Sequence, residues 1–465
     1  MSNNQVNNSL SIANPNPHGV SMGEKAGMTT AMIGILILFM AFAGVNFPSK
    51  PIFLSLSILL MAGGIIVYAR ALYLNHPEGI RNSGVWRKSL SGGGLIGWSI
   101  GILLTGFYIL LYWFPEMLGQ GSSGASNTGI IALFDPLSIL LKGKPASQWF
   151  VYGTLYTVAI LAFGYKFILK YRHNRYQVVR TISVMFFQLG LAFLIPEILE
   201  GLNPSLEYFD KDLKNMWPLN YDFFYSWHLK NSLDGGNLGM FFLIFGIAMF
   251  LVISPILTYF YGKRWYCSWV CGCGGLAETA GDPFRQLSNK SISAWKIERW
   301  MIHSVLALVI IMTTVTLYGY FYQKGSVFGL NIYSYFQKPY GFFIGAIFSG
   351  VIGVGFYPIL GSRVWCRFGC PMAAILGLQQ RFFSRFRITT NGGQCISCGN
   401  CSTYCEMGID VRAYAQKGQN IVRASCVGCG VCSAVCPRGV LRLENGSVDI
   451  SKRTTALKAI HILEN

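Results

Sequence analysis

Charge is what this chain has least of. Charged residues make up 12% of its 465 residues, and only 19 are Asp or Glu. Soluble domains carry about 25% charge, so the composition argues against an ordinary water-soluble protein. No C-x-x-C-H sequence is present, which excludes covalent attachment of a c-type haem. No signal peptide precedes the first apolar run. Residues 1–28 are polar, rich in Asn and Ser, and are expected to form a disordered cytoplasmic tail. The formal net charge of +18 would ordinarily raise nucleic acid as a partner. Here the basic residues gather in particular loops, a pattern that serves membrane orientation instead, and no nucleic-acid partner is expected.

Apolar residues are abundant, at 52%, with 15% aromatic. They form runs near the roughly 20 residues needed to cross hydrocarbon. Eight spans are expected, at 29–47, 52–73, 94–116, 150–169, 181–199, 238–261, 301–323 and 340–360. With the N-terminus inside, the inner loops hold Arg70, Arg81, Arg87, Lys88, Lys166, Lys170, Arg172, Arg175, Arg180, Lys263, Arg264, Arg285, Lys290, Lys296 and Arg299. The outer loops hold eight lysines: Lys50, Lys142, Lys144, Lys211, Lys214, Lys230, Lys324 and Lys338. The positive-inside rule therefore puts both termini in the cytoplasm of a multi-pass protein of the bacterial inner membrane. Two outer loops are long, 117–149 and 200–237. The second carries Tyr208, Trp217, Tyr221, Phe223, Phe224, Tyr225 and Trp227. These aromatics suit either an interfacial belt or a docking surface for a redox partner.

Eight of the 13 cysteines stand in two copies of C-x2-C-x2-C-x3-C: Cys395, Cys398, Cys401, Cys405 and Cys426, Cys429, Cys432, Cys436, the last followed by Pro437. This is the ligand spacing of a two-cluster bacterial ferredoxin, in which the fourth cysteine of each run serves the other cluster. Cys395, Cys398, Cys401 and Cys436 are assigned to one [4Fe–4S] cluster, and Cys426, Cys429, Cys432 and Cys405 to a second. Zinc sites use short pairs set further apart, and disulfides do not call for this spacing. Gly399, Gly408, Gly428 and Gly430 suit a backbone turning closely around a cluster. Cluster assembly requires a reducing compartment, which agrees with the cytoplasmic side.

A second constellation lies upstream. Gly262-Lys263-Arg264-Trp265-Tyr266-Cys267-Ser268-Trp269-Val270-Cys271 aligns without a gap to Gly361-Ser362-Arg363-Val364-Trp365-Cys366-Arg367-Phe368-Gly369-Cys370. Each follows an expected span, so the chain contains an internal repeat, and such repeats build sites between them. Cysteines at i and i+4 are expected on one helix face. Cys267, Cys271, Cys366 and Cys370 then converge at the inner membrane edge, either as a further metal or redox site or as small thiols packed at helix ends. Arg264 and Arg363, at matching positions, either offset their charge or anchor the helices.

These blocks, followed by the ferredoxin cysteines, resemble the NapH/NosR group of polyferredoxin-like inner-membrane proteins over roughly residues 180–445. Gly272 stands where the family's first motif has proline, and Cys273 is an additional thiol. The resemblance implies an electron carrier linking quinone or quinol to a periplasmic reductase of anaerobic respiration, such as a nitrogen-oxide reductase. The implied partners are a periplasmic cytochrome, flavoprotein or reductase, beside the lipid bilayer. The flavin-binding periplasmic domain of full NosR proteins is not in this chain, so a separate subunit is expected to deliver electrons outside.

The expected fold is an all-α integral membrane bundle of about eight transmembrane helices with a small α+β two-cluster ferredoxin-like cytoplasmic domain. Its divisions are a tail (1–28), a four-helix membrane region (29–180), a repeat-containing membrane core (181–380), the dicluster ferredoxin domain (390–445) and a C-terminal tail (446–465). The expected cofactors are two [4Fe–4S] clusters, with a quinone and a metal centre at the membrane cysteines as additions. No catalytic residue is assigned. The alternative is a metal-handling or metalloenzyme assembly factor. Oxidase-assembly proteins with similar motifs are expected to continue past the ferredoxin into another helix and domain, and the chain stops about 29 residues after Cys436. A transporter is disfavoured by the scarcity of intramembrane charge. Weaker candidates are Glu197 and Glu200, as proton acceptors or a solvated helix end, His228, as a ligand or proton relay, and His303, as an interfacial residue.

Overall fold

Ser21 and Glu24 start the first helix. The Ser21 hydroxyl accepts the Glu24 amide at 3.2 Å, and the Glu24 carboxylate accepts the Ser21 amide at 3.5 Å, a reciprocal cap. Helix α1 therefore spans Met22–Phe42 and begins inside the stretch expected as tail. The computed structural model describes residues 20–74, 93–121, 125–203, 207–212 and 221–445. Both chain ends beyond these ranges, and Arg81, Arg87, Lys88, Lys214 and Trp217 of the orientation and docking arguments, lie outside the described residues.

Among the described residues, seven helices are long and apolar enough to cross a bilayer. They are α1; α2, Lys50–Tyr73; α3, Leu95–Trp113; then, after a shorter helix α4, Gly129–Lys142, come α5, Gln148–Lys170; α6, Arg175–Leu202; α7, Gly236–Tyr261; and α8, Ile292–Phe321. Large apolar side chains such as Leu95, Ile102, Phe186 and Leu251 stay exposed along them, as a lipid-facing surface requires. Helices α6 and α7 each widen to a π turn, Gly190–Leu194 and Met249–Ile253, just before Pro196 and Pro255. Proline has no amide hydrogen to donate and crowds the preceding turn, and the wider turn accommodates it. The eighth expected span, 340–360, is not one regular α-helix. It runs as a π-helical stretch, Gly341–Ile352, then turns, then the single helical turn Tyr357–Leu360.

The first long outer segment is not a loop. Helix α4 buries Ile131, Leu133 and Phe134 against α1 and α2 in an apolar core at the bundle end remote from the cysteines. Asp135 secures its surroundings by accepting from Asn127 at 2.7 Å and from the Ala146 amide at 2.9 Å.

At the other end, α9 (Pro371–Phe383) follows the second cysteine block and leads into strand β3. After the two-residue hairpin β1 (Ser326–Val327) and β2 (Leu330–Asn331), the remaining sheet is β3, Phe386–Thr390, antiparallel to β4, Leu441–Asn445, with Phe386 opposite Asn445 and Thr390 opposite Leu441. The β3–β4 pair brackets the eight ferredoxin cysteines. One apolar core joins this unit to the membrane end: Phe386, Ile388, Met407, Ile409 and Val427 pack with Cys267, Met372 and Leu376.

Candidate redox centres

Within the bracketed unit the two cysteine runs fold alike. Gly399 and Gly430 both adopt positive φ and cap short helices, Asn400–Thr403 and Val431–Ala434, that carry Cys401 and Cys432. Gly408 and Gly428 also have positive φ. At Gly408 the backbone passes so close to the membrane part that a Cβ would lie 2.2 Å from the Arg367 guanidinium and 2.5 Å from the Asn289 carbonyl.

The folding brings the cysteines into two groups. Cys395, Cys398, Cys401 and Cys436 line one small hollow. Burial pushes the Cys401 thiol up to about 12, with Cys436, Cys398 and Cys395 adding repulsion. The other group is Cys405, Cys426, Cys429 and Cys432. Burial raises Cys432, and charge on Cys429, Cys426 and Cys405 raises it further. Cys405 is pushed up to about 11 by burial and Cys429 to about 12. Four thiols, Cys426 and Cys432 buried and Cys405 and Cys429 half-buried, that resist deprotonation on their own suit a cation-rich cluster that neutralises their thiolates. The donor set and its spacing therefore fit two cubane clusters.

Cys267, Cys271, Cys366 and Cys370 form a third neighbourhood. Cys267 is part of the apolar core against which Tyr266 and Cys370 pack. One guanidinium, Arg363, reaches both the Cys267 carbonyl and Cys366 Sγ. Charge on Cys366, Cys267 and Cys271 adds to burial in raising the Cys370 thiol. The pairs do not share a helix face, contrary to the i, i+4 expectation. Cys267 ends the turn Arg264–Cys267 and Cys271 caps the helix Gly272–Glu278; Cys366 lies in Val364–Phe368 and Cys370 caps α9. A helix–turn–helix break lets the second thiol of each pair meet free helix N-terminal amides, as where the Ala373 amide donates to Cys370 Sγ at 3.4 Å. The Cys271 thiol is pulled down to about 6, first by a hydrogen bond from Cys273 and then, against burial, by the Gly274 amide and Arg363. Cys267 is pushed up to about 12 by burial, with Lys263 opposing.

The matched arginines behave differently. Arg363 is buried and donates to Cys366 Sγ at 3.7 Å, to the Cys267 carbonyl at 3.1 Å, to Glu278 at 2.5 Å and to Glu406 at 3.0 Å. Arg264 turns to the ferredoxin unit, over the Phe386 ring at 4.4 Å and onto Asn445 at 2.9 Å. Of the first repeat's two basic residues it is Lys263 whose charge opposes burial at the Cys267 thiol. A one-residue offset thus breaks the repeat's symmetry.

Sequence reasoning missed the ion network around Arg363. Arg285 pairs with Glu406 and Asp282, both at 2.8 Å, Lys170 with Asp282 at 2.6 Å, and Arg180 with Glu278. All seven side chains, four cationic and three acidic, are buried. Burial alone would raise Asp282, but Lys170 and Arg285 bring it down to about 2, and Arg363 and Arg285 likewise hold Glu406 below its ordinary value. Oxygens of Glu278 and Glu406 and the Cys429 sulfur lie within 4.8 Å of one another. Lys170, Arg180 and Arg285, expected as loop charges, are thus internal. The available signal was the placement of scarce acids: Glu406 directly follows Cys405, and Glu278 and Asp282 follow Cys273 closely.

Side-chain bonds also clamp the second cysteine run to the bundle. Gln177 donates to the Cys429 carbonyl at 2.8 Å, Tyr176 to Gly428 at 3.0 Å, Ser268 to Val427 at 2.8 Å and Gln380 to Cys426 at 2.8 Å. At the far end Glu197 and Glu200 are not a solvated helix end. Both are buried and paired, Lys142 with Glu197 at 3.0 Å, and Lys144 and Lys211 with Glu200 at 2.6 and 2.5 Å. His228 is buried with Nδ1 2.6 Å from the Phe223 carbonyl, and His303 is exposed on a cavity wall. Of the outer aromatics, Phe223 is buried, Trp227 is exposed, and Tyr208 donates to Glu197 at 2.9 Å.

Family profiles agree with this layout. Residues 387–437 match the 4Fe-4S dicluster domain, and residues 242–291 and 340–389 each match a 4Fe-4S binding domain. The double match covers both copies of the internal repeat. The chain is also 28% identical over 192 residues to YccM of Escherichia coli (strain K12), for which electron transport is a provisional assignment. That alignment covers 40% of this chain and 52% of YccM, so the chain spans about half the length of this curated relative. No solved structure matches the chain.

Proposed function

We propose that the chain is an electron carrier of the bacterial inner membrane, passing electrons between the quinone pool and a periplasmic reductase of anaerobic respiration through partner redox proteins. Cys395, Cys398, Cys401 and Cys436 would hold one [4Fe–4S] cluster, and Cys426, Cys429, Cys432 and Cys405 the other. Cys267, Cys271, Cys366 and Cys370 would hold a third centre at the membrane edge. In this reading the segment 340–360 is an eighth crossing, both termini are cytoplasmic, and the divisions are a tail, shortened from the expected 1–28 by the start of α1 at Met22, a four-span membrane region up to 180, the repeat core (181–380), the ferredoxin domain (390–445) and a terminal tail (446–465). The NapH/NosR resemblance supplies the quinone and the reductase, and the provisional role of YccM points to the same class of activity.

The observation that carries the proposal is the Arg363 clamp. One guanidinium touches Cys366, the Cys267 carbonyl and Glu406, the neighbour of Cys405. Clusters bound at these cysteines would supply one-electron chemistry. The chain's own residues fix the distance between the thiol groups, bury Cys267, Cys366, Cys401, Cys426 and Cys432 away from water, and place a charge-compensated network beside them. Single Cys→Ser changes at Cys267, Cys271, Cys366 and Cys370 should give one common loss of quinol-linked electron transfer, and combining them should add little, since they act as a unit. The ferredoxin iron should survive each change. Full activity in all four variants, or unrelated losses, would sink the shared centre and favour simple packing.

A further inference from the structure

A cavity of about 260 Å³ lies where α8, the second repeat and the ferredoxin unit meet. Its walls carry Lys263, Arg299, Arg367, Arg381 and Arg423 against one carboxylate, Glu298. That carboxylate is spent, since it accepts from Arg367 Nε at 2.7 Å. Among the described residues no acid pairs with Arg299, Arg381 or Arg423. Arg367 is 4% exposed; its Nη1 donates to the Asn289 carbonyl at 2.8 Å, while its buried Nη2 has no hydrogen-bond partner among the described residues. Lys263 is 1% exposed, and among the described residues its ammonium donates to the Ala373 carbonyl at 3.5 Å and pairs with no acid. A buried cation is costly to hold without a counter-charge, so this wall is built to receive an anion.

The cations are also held in place. The Trp295 ring has Arg299 on it at 5.2 Å and Arg423 at 4.8 Å. Planar guanidiniums in a fixed array match phosphate oxygens. We propose that this cavity binds a phosphate group, and that its source is the headgroup of an anionic phospholipid. The choice of source rests on what flanks the cations. Trp300 beside Arg299, and Phe382 and Phe383 beside Arg381, are 78, 67 and 70% exposed. Exposed aromatics next to arginines mark the level where bilayer headgroups lie. A headgroup seated there would touch a membrane helix, the second repeat and the ferredoxin unit together, and would hold the unit down beside Cys366, which lines the same cavity. This inference does not depend on the electron-transfer reading.

The test uses the full chain in neutral detergent, titrated separately with phosphatidylglycerol, phosphatidylcholine and inorganic phosphate, with occupancy read by native mass spectrometry. Wild type should bind phosphatidylglycerol about tenfold or more tighter than phosphatidylcholine, and R299Q/R381Q/R423Q should lose about tenfold or more of that affinity. R385Q/R387Q, changed outside the cavity, should bind as wild type does. Should the triple variant fail to fold, as judged by its melting temperature and iron content, R423Q alone should weaken binding about threefold. Inorganic phosphate binding with the same arginine dependence, without phosphatidylglycerol binding, would overturn the lipid source. Equal binding of the two lipids, or phosphatidylglycerol binding that ignores these arginines, would overturn the site.

Discussion

Glu406 is fully buried and accepts from both Arg285 and Arg363, so two cations of the membrane part converge on this side chain of the ferredoxin unit. Removing its charge by Glu406→Gln would leave two buried guanidiniums short of a partner, a loss of about 3–5 kcal/mol. The expected result is a lower melting temperature for the iron–sulfur absorbance, with Asp410→Asn as an ion-network-neutral comparison. At the membrane-edge site the thiols differ in chemistry. In metal-free protein at pH 7, Cys271, pulled down to about 6, should alkylate before Cys267, which is pushed up to about 12. Its rate should rise as pH increases through about 6 and then level off, because the thiolate is the reacting form. Peptide mass spectrometry of partly labelled protein reads this order. Uniform labelling of the two would contradict the assigned hydrogen bond from Cys273.

At the scale of elements, docking rests on a few close approaches. Helix α9 places Gln380 so that its amide donates to the Cys426 and Arg423 carbonyls while its oxygen accepts the Lys263 amide. Gln380→Ala should strand these groups at about 1–3 kcal/mol each if they stay buried. Gly408→Ala should cost more than a surface change, since positive φ disfavours a side chain by about 1–2 kcal/mol and the new carbon would strike the Asn289 carbonyl. Both variants should keep the bundle intact yet expose the 386–445 unit to protease. Unchanged cleavage rates would mean that docking is held elsewhere. Such contacts were not legible beforehand. The x2 spacing identifies cluster ligands, but which backbone carbonyls α9 satisfies depends on where the chain returns in space.

For the whole molecule, the proposal requires about eight iron and eight sulfide from the two ferredoxin clusters alone. Chemical analysis of the Cys267, Cys271, Cys366 and Cys370 serine variants, which retain both ferredoxin sets, isolates that number. Stoichiometric zinc without sulfide would refute it. Reporter fusions at Asn465 and at Asp212 should report opposite sides of the membrane, with Asn465 cytoplasmic. The same side for both would break the eight-crossing scheme, whose last crossing is the irregular Gly341–Ile352 stretch.

Periodicity-free apolar runs determined the seven long helices, because burying a backbone in hydrocarbon leaves little choice but to pair its amides within one helix. Cysteine spacing determined the two ferredoxin runs and the aligned repeat, since local loops set where consecutive sulfurs point. Tertiary structure decided the rest. It turned 129–142 from an expected loop into a buried helix, because that segment's apolar face found α1 and α2 to cover it. It broke each i, i+4 cysteine pair between two helices, and it gave the first repeat Lys263 where the alignment offered Arg264. Above all it gathered Lys170, Arg180, Glu278, Asp282, Arg285, Arg363 and Glu406 into one buried network. Only Glu278, Asp282 and Arg285 are close in sequence; the other charges come from Lys170, Arg180, Arg363 and Glu406, and a charge reveals whether it is an anchor or an internal partner only when the fold removes it from water.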